Sequence, residues 1–213
     1  EAGFSGFHTQ RELEKEGIKA IVVNAADIPT SDKDGQQKTD KRDSFKIAQS
    51  LRANMLEAIY VPSQEDEENQ GLFRRRTDLV VKRTRIKNQI KSLLKKYGIK
   101  PEEKYEETKA WTKTYIKWLA EVAKSRTRIR KQMESMLREL DFISEEIKIT
   151  EEQLAELSQC ESYKYRYDKL IKISGIGKTV AMAIILELFD INRFVCFPKL
   201  ASYVGFIPRE HSS

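Results

Sequence analysis

The feature that most constrains the fold is a long apolar repeat in the second half of the chain. Between Leu119 and Leu157, core-type residues recur at alternating spacings of three and four over more than five heptads. Such spacing predicts a helix that buries one stripe against a partner helix, as in a coiled coil. A shorter stripe precedes it, and Gly98–Pro101 interrupts the helical pattern between the two. We therefore predict a long antiparallel helical hairpin or coiled coil over residues 63–161, with a longer arm of about 80 Å. The predicted seam comprises Leu119, Val122, Arg126, Ile129, Met133, Met136, Leu140, Ile143, Ile147, Thr150, Leu154 and Leu157 in the longer arm, and Leu72, Leu79, Ile86, Ile90, Leu93 and Tyr97 in the shorter.

The first part of the chain, residues 1–62, alternates between helical and strand-like sequence. This order is typical of α/β domains with a mostly parallel sheet. Two strands cannot form an independent sheet, because parallel strands are normally covered on both faces within a larger one. We therefore expect the remnant of a truncated α/β domain, with a small two-strand appendage on the helices as the alternative. The expected elements are helices at 5–16 and 39–54, the second with Phe45, Ile47, Ala48 and Leu51 on its inner side, and strands at 18–25 and 56–61.

The net charge of +6 conceals a strong segregation of charge along the chain. Residues 71–100 carry eleven basic and one acidic side chain, and residues 109–131 carry eight basic and one acidic, whereas residues 132–161 carry nine acidic and two basic. A hairpin would place the two basic segments side by side, and a polyanion such as nucleic acid would relieve their repulsion. A solvated charged face is the alternative. The predicted nucleic-acid-binding cations are Arg74, Arg75, Arg76, Lys82, Arg83, Lys87, Lys91, Lys109, Lys113 and Lys117.

Residues 170–185, with the sequence LIKISGIGKTVAMAII, fit a helix-hairpin-helix pattern. Gly175 and Gly177 permit a tight turn, and the small Ala181 lets two helices approach closely. Backbone N–H groups at the start of the second helix can hold a phosphate without reading sequence, and Lys178 would add charge. An ordinary pair of core helices is the alternative. The glycine spacing does not fit a Walker A loop. We expect a small, mainly helical domain over residues 162–213.

Two aspartates provide the clearest candidate for metal chemistry. Asp40 and Asp43 lie three residues apart at the start of the second predicted helix, so both carboxylates project on one face. Such a pair can share divalent metal ions in phosphoryl transfer. The alternative is that Asp40 caps the helix and Asp43 is solvated. Glu1 lies where a strand would end and a helix begin, a favoured position for active-site residues in α/β sheets.

Composition excludes several classes of protein. No apolar run approaches the roughly 20 residues that a membrane helix needs. The two cysteines, Cys160 and Cys196, make no disulfide framework and suggest a reducing cytoplasm. The chain begins at Glu1 without an initiator methionine, and we expect a fragment of a longer protein.

Several motifs together resemble one known family. The segments EAGFSG at the start, KTDKRDS, the charged hairpin, ISGIGKTVAMAII and LASYVGFIPREHSS occur in the same order in insertion-sequence transposases of the family numbered one hundred and ten. These are recombinases with a RuvC-like DEDD domain and a C-terminal transposase domain, guided in studied members by a bridge RNA. The resemblance covers essentially the whole chain. It implies that residues 1–62 are the C-terminal part of the RuvC-like (RNase H-like) domain and that residues 162–213 belong to the transposase domain, truncated at its end.

The resemblance also implies roles for individual residues. Glu1 matches the second acid of the DEDD set, and Asp40 and Asp43 match the third and fourth, so these three would bind Mg²⁺. A serine would attack DNA and form a covalent link to its phosphate, with Ser213 the first choice and Ser212 the second. The partners implied are DNA, a guide RNA and further copies of the chain, as a dimer or tetramer through the coiled coil, in a prokaryotic cytoplasm and at the nucleoid when acting.

Two other functions remain open from the sequence. A non-catalytic protein could use the basic hairpin and the Gly-Ile-Gly turn only to bind nucleic acid and to assemble. A RuvC-like metal-dependent nuclease would cut DNA with water and form no protein–DNA adduct.

Overall fold

The computed structural model describes residues 3, 5–29, 39–101 and 111–206. These residues are mainly α-helical and include no β-strand, so the prediction of a predominantly α chain is confirmed. No helix in this part of the chain is long and apolar enough to cross a membrane. The chain divides into two compact units: unit 1 comprises residues 1–64 and 190–213, and unit 2 comprises residues 65–189.

The described residues form a succession of helices joined by short turns and extended segments. In chain order they are α1 (Gly6–Lys15), α2 (Asp40–Arg52), α3 (Gln64–Lys96), α4 (Lys113–Ser125), α5 (Arg130–Ser158), α6 (Glu161–Leu170), α7 (Lys178–Leu188) and α8 (Phe197–Tyr203), with 3₁₀ turns at Ala25–Asp27 and Ile191–Arg193.

Helices α3, α4 and α5 share one apolar core in unit 2. Arg76 of α3 pairs with Glu151 near the end of α5, whereas Lys87 lies over the ring of Trp111 just before α4. The returning chain is therefore antiparallel to α3, as the hairpin prediction requires. Gly98 follows the end of α3 with a φ of +63°, a conformation that favours glycine. The buried core side chains are Leu79, Ile86, Ile90, Leu93, Leu94, Tyr115, Leu119, Ala123, Met133, Leu140, Ile143 and Ile147.

The longer arm is not one continuous helix, and that part of the prediction is wrong. Helix α4 ends at Ser125 and α5 begins at Arg130. Arg126 occupies a predicted seam position but is exposed, with φ −121° and ψ 85°. A guanidinium buried in an apolar core without a partner is costly, so leaving the helix there keeps Arg126 in solvent.

A second core joins α6 and α7 to the end of α5. Ala181 is completely buried, and Tyr163 and Tyr167 of α6 are buried in the same cluster. The expected close approach of two helices at Ala181 is therefore confirmed. The other buried members are Leu154, Met182, Ile185 and Leu186.

Unit 1 contains α1 and α2, but its two predicted strands do not form within the described residues. The segments 18–24 and 55–63 have no regular secondary structure. One backbone hydrogen bond joins them, from Ile59 N–H to the Val22 carbonyl at 2.8 Å. A strand pair needs a repeated ladder of such bonds, and a single bond does not make one. Val22 and Val23 are nevertheless buried, as the β-branched run predicted.

The predicted inner side of α2 is largely exposed. Phe45 is 63% exposed and Leu51 54% exposed, Ala48 is also exposed, and Ile47 is half-buried. Helical periodicity identifies an apolar stripe but not the element that covers it. Within the described part of the chain, the prediction of a core-facing side is therefore wrong for Phe45, Ala48 and Leu51, while Ile47 is partly covered.

Candidate functional site

The first turn of α2 holds the acidic pair. Thr39 caps the helix, because its hydroxyl accepts a hydrogen bond from the Arg42 N–H at 3.4 Å. The alternative that Asp40 is the cap is therefore wrong. Asp40 is exposed and Asp43 is half-buried, and the helix N-terminus stabilises both negative charges.

The acidic pair is incomplete as a metal site in the described residues. No group of three potential ligands from His, Cys, Asp and Glu occurs in the parts of the chain that the structure describes. Glu1, Ser212 and Ser213 lie outside the described residues. Mg²⁺ commonly binds one or two carboxylates together with water and phosphate oxygens, so the donor chemistry of Asp40 and Asp43 fits this ion.

The predicted cations of α3 divide into two groups. The first group lies in the middle of the helix and is paired with acids. Arg74 donates to both carboxylate oxygens of Glu187 at 3.0 and 2.8 Å, and Arg76 Nε donates to Glu151 at 3.0 Å. Lys82 and Arg75 share Asp78 at 2.7 and 3.4 Å. The hydrogen bond from Lys82 lowers the pKa of Asp78. These four cations contribute to intramolecular ion pairs, which their prediction as nucleic-acid ligands did not anticipate.

The second group, Arg83, Lys87 and Lys91, follows one face of α3 at four-residue intervals. Within the described residues none of the three forms an ion pair. Desolvation, followed by the positive charges of Arg83 and Lys91, lowers the pKa of Lys87. Lys87 thus lies between two like charges on the same helical face.

Two further predicted cations, Lys113 and Lys117, lie one turn apart and exposed on α4. The remaining one, Lys109, lies outside the described residues. Lys87 connects the basic face of α3 to the start of the returning chain, since its ammonium is 5.3 Å from the centre of the Trp111 ring. We call Arg83, Lys87, Lys91, Lys113 and Lys117 the distal basic surface.

The two tryptophans of this region pack within the hairpin. Trp111 meets Tyr115 edge-on at 5.3 Å, and Tyr115 stacks on Trp118 at 5.4 Å. Tyr115 is buried and burial raises its pKa, while both tryptophans are half-buried against the core of α3–α5. In this arrangement both tryptophans pack against the hairpin core.

The Gly-Ile-Gly segment forms the turn between α6 and α7. Gly175 has a φ of +91°, which a side chain would strain, and Gly177 precedes α7 in an extended conformation. Within the described residues no side chain caps α7, so the first N–H groups of the helix, among them those of Lys178 and Thr179, lie at its positive end without a side-chain cap. Lys178 itself is exposed. The turn therefore has the geometry to hold a phosphate oxygen.

A buried polar network that the sequence did not predict joins α6 and α7 to the start of α3. The Tyr163 hydroxyl donates to Asp66 at 2.9 Å and accepts from Asn69 at 3.0 Å. Burial raises the pKa of Tyr163 to about 12. Gln70 donates to the Leu186 carbonyl at 3.3 Å. These partners are far apart in sequence, and the only signal for them is the cluster of tyrosines at 163–167.

Sequence reasoning also missed a cluster around Arg193 in unit 1. Its guanidinium lies 4.7 Å from the centre of the Tyr60 ring, 4.4 Å from Phe194 and 4.6 Å from Tyr203. The aromatic residues at 194–206 are visible as a group in the sequence, but nothing there connects them with Tyr60.

Comparison with known proteins identifies the class to which these features belong. Residues 3–99 match the family model of the DEDD transposase segment of IS110 elements, described as a transposase. Residues 167–213 match the model of the transposase IS116/IS110/IS902 family. The first match includes α3, which is the first arm of the hairpin, and the second begins within α6. Both models describe transposases of insertion sequences. The chain belongs to the IS110 family of transposases, which confirms the resemblance seen in the sequence.

Individual relatives agree with this assignment. The transposase for insertion sequence element IS1533 of Leptospira borgpetersenii is 26% identical over 194 residues, which cover 89% of this chain and 54% of that protein. The transposase for insertion sequence element IS1111A of Coxiella burnetii is 26% identical over 180 residues, covering 83% of this chain and 47% of that protein. The chain thus spans about half the length of the curated relatives it matches. No solved structure matches the chain significantly.

Proposed function

We propose that this chain is part of a DNA recombinase of an insertion sequence, in which a serine cuts and rejoins DNA with the assistance of a divalent metal. The observation that carries the proposal is the order of its parts. The first transposase segment presents two carboxylates on one helical face and extends through the first arm of a basic helical hairpin, and the second transposase segment follows the hairpin. Residues 1–62 would then be the C-terminal part of a RuvC-like, RNase H-like domain, and residues 162–213 part of the transposase domain.

The acids and the serine have distinct tasks in this proposal. Asp40 and Asp43, with Glu1, would hold Mg²⁺, which supplies Lewis-acid stabilisation of charge on a phosphate. The serine oxygen, of Ser213 or else of Ser212, would form a bond to phosphorus while the bond to a deoxyribose oxygen breaks. Attack by the freed hydroxyl of another strand on this phosphoserine ester would rejoin the DNA and release the serine.

The experiment that tests the proposal is the capture of the phosphoserine adduct. Purified protein is incubated with Mg²⁺ and labelled DNA carrying the element's ends, and labelled DNA that remains with the protein after detergent denaturation is measured. We expect adduct from the wild type and none from Ser213→Ala, Asp40→Ala or Asp43→Ala, with nucleic-acid binding retained. If the adduct is lost in Ser212→Ala and retained in Ser213→Ala, Ser212 is the nucleophile.

The same experiment separates the competing functions. DNA that is cut without an adduct would indicate a RuvC-like nuclease that uses water. Binding that is unaffected by Mg²⁺ and by both aspartate variants, with no cutting, would indicate a non-catalytic assembly protein.

We further propose that the distal basic surface binds the phosphate backbone of nucleic acid. Its support is the row of like charges at Arg83, Lys87 and Lys91, whose repulsion a polyanion would relieve. Lys91→Gln with Lys117→Gln should weaken binding at low salt and reduce the slope of log affinity against log salt by about 1–2. The matched control, Arg138→Gln with Lys148→Gln, removes two charges from the acidic part of α5 and should leave the slope unchanged.

Guidance by RNA and assembly through the coiled coil belong to the same proposal. Phe142 and Ile149 are exposed seven residues apart on α5, 64% and 41% respectively, a spacing that fits a further helix from a second copy of the chain. Light scattering should give a dimer or tetramer for the wild type and smaller species for Phe142→Glu. Binding of duplex DNA and of RNA from the element, measured side by side, decides which of them the distal basic surface holds. Such a protein would act in the cytoplasm, at the nucleoid.

A further inference from the structure

A cation enclosed by aromatic rings connects two distant parts of the chain in unit 1. The Arg193 guanidinium contacts Tyr60, Phe194 and Tyr203 at 4.4–4.7 Å from their ring centres. The rings of Phe194 and Tyr203 also contact each other, with centres 5.3 Å apart and planes inclined by 57°. A planar, delocalised guanidinium is suited to stacking on several rings, which a lysine ammonium is not.

This contact joins the two segments that separate family models match. Tyr60 belongs to the irregular stretch after α2, inside residues 3–99, whereas Arg193 and Tyr203 belong to residues 167–213. Around the contact lies a cavity of about 360 Å³, whose walls include Glu57 from the first segment and Lys199 from the second. The two segments therefore meet at a partly open junction in which Arg193 is the central side chain.

We propose that Arg193 is a positioning residue: by stacking on Tyr60 it fastens residues 190–206 to residues 57–60. The chain that follows Phe206 leads to Ser212 and Ser213, while the chain that precedes residue 57 leads back to α2 with Asp40 and Asp43. Fastening the two segments limits the positions that the serine can take relative to the acids. This inference rests on the proposed function for its catalytic consequence, but the fastening itself can be measured without activity.

Limited proteolysis of the protein tests the fastening. A lysine-specific protease can cut at Lys199, within α8, only when that helix opens locally. Lys172, exposed in the turn between α6 and α7, serves as an internal control. Tyr60→Leu keeps apolar bulk but removes the ring, and it should increase the cutting rate at Lys199 about tenfold with no change at Lys172. Tyr60→Phe keeps the ring and should behave as the wild type.

The adduct assay tests the positioning role. Tyr60→Leu and Arg193→Gln should each lower the adduct yield about tenfold, whereas Tyr60→Phe and Arg138→Gln, a variant in unit 2, should retain it. Arg193→Lys, which keeps the charge but not the planar stack, should fall between the wild type and Arg193→Gln. Circular dichroism confirms that each variant has the helical content of the wild type before it is assayed.

Each outcome decides the inference. Equal cutting at Lys199 in Tyr60→Leu and the wild type would overturn the fastening. Faster cutting with a full adduct yield would overturn the positioning role. If the wild type forms no adduct, the proposed function and the positioning role both fail, while the rates at Lys199 still report whether the two segments are fastened.

Discussion

The hairpin of unit 2 and the helices of unit 1 differ in how their apolar residues are covered. In the hairpin, Ile90, Leu119 and Met133 are completely buried, and polar contacts join its base to α6 and α7. In unit 1, Phe45 and Phe197 are 63% and 75% exposed within the described residues. The hairpin thus forms its core between its own helices α3, α4 and α5. Unit 1 relies on a few long-range contacts, such as those of Arg193.

Core truncation in the two regions should show the largest difference. Leu119→Ala leaves a cavity among three helices and should lower the free energy of unfolding by about 2–5 kcal/mol. Phe45→Ala removes a mostly exposed side chain and should change it by no more than about 0.5 kcal/mol. Urea denaturation followed by circular dichroism measures both. A large loss in Phe45→Ala would contradict the exposure of the α2 face.

The polar base of the hairpin should show an intermediate effect with a characteristic pH dependence. Tyr163→Phe leaves Asp66 and Asn69 without their hydroxyl partner and should cost about 1–3 kcal/mol near neutral pH. The pKa of Tyr163 is raised to about 12 from a usual value near 10, so the folded protein resists its ionisation. The stability that this provides is complete below pH 10 and is lost as the pH rises towards 12.

Thermal unfolding of the wild type and of Tyr163→Phe over this alkaline range measures the effect. The wild type should lose stability more steeply than the variant, and the two curves should approach each other near pH 12. Parallel curves would show that Tyr163 ionises equally easily in the folded and unfolded chains.

Two glycine substitutions should give modest effects of opposite sign in the two units. Gly17 ends α1 with a φ of +77°, so Gly17→Ala should destabilise unit 1 by about 1–2 kcal/mol. Gly71 lies within α3 with nothing within 4 Å of an added methyl group, so Gly71→Ala should stabilise unit 2 by about 0.5–1 kcal/mol. Hydrogen exchange resolved by segment assigns each change to its unit, and the same sign for both would contradict the assignment of their backbone conformations.

Much of unit 2 could be predicted from local sequence. The heptad stripe correctly predicted Leu79, Ile90 and Met133 as core residues. Helical periodicity brings such side chains onto one face of the helix, independently of which element packs against that face. The turn at Gly98 and the helix pair at Gly175 were predicted for a similar local reason, since positive φ favours glycine. The break at Arg126 was missed, because the prediction used only the spacing of the seam positions. It did not include the free-energy cost of burying a charged side chain at one of them.

The candidate site was predicted less completely. The sequence identified Asp40 and Asp43 on one face of a helix, and the structure places them there while assigning the cap to Thr39. It also identified the cations of α3, but not that Arg74 and Arg76 are held by Glu187 and Glu151. Ion pairs between residues so distant in sequence depend on which helices pack together, and charge counts along the chain carry no such information.

The sequence by itself determined the helical character, the hairpin and the family, because propensity, periodicity and motif order are properties of neighbouring residues. Only the tertiary structure decided which cations are paired, which apolar faces remain exposed, and that Arg193 meets Tyr60. These depend on contacts between segments separated by many residues. Such contacts contribute to stability only after the helices have packed against one another.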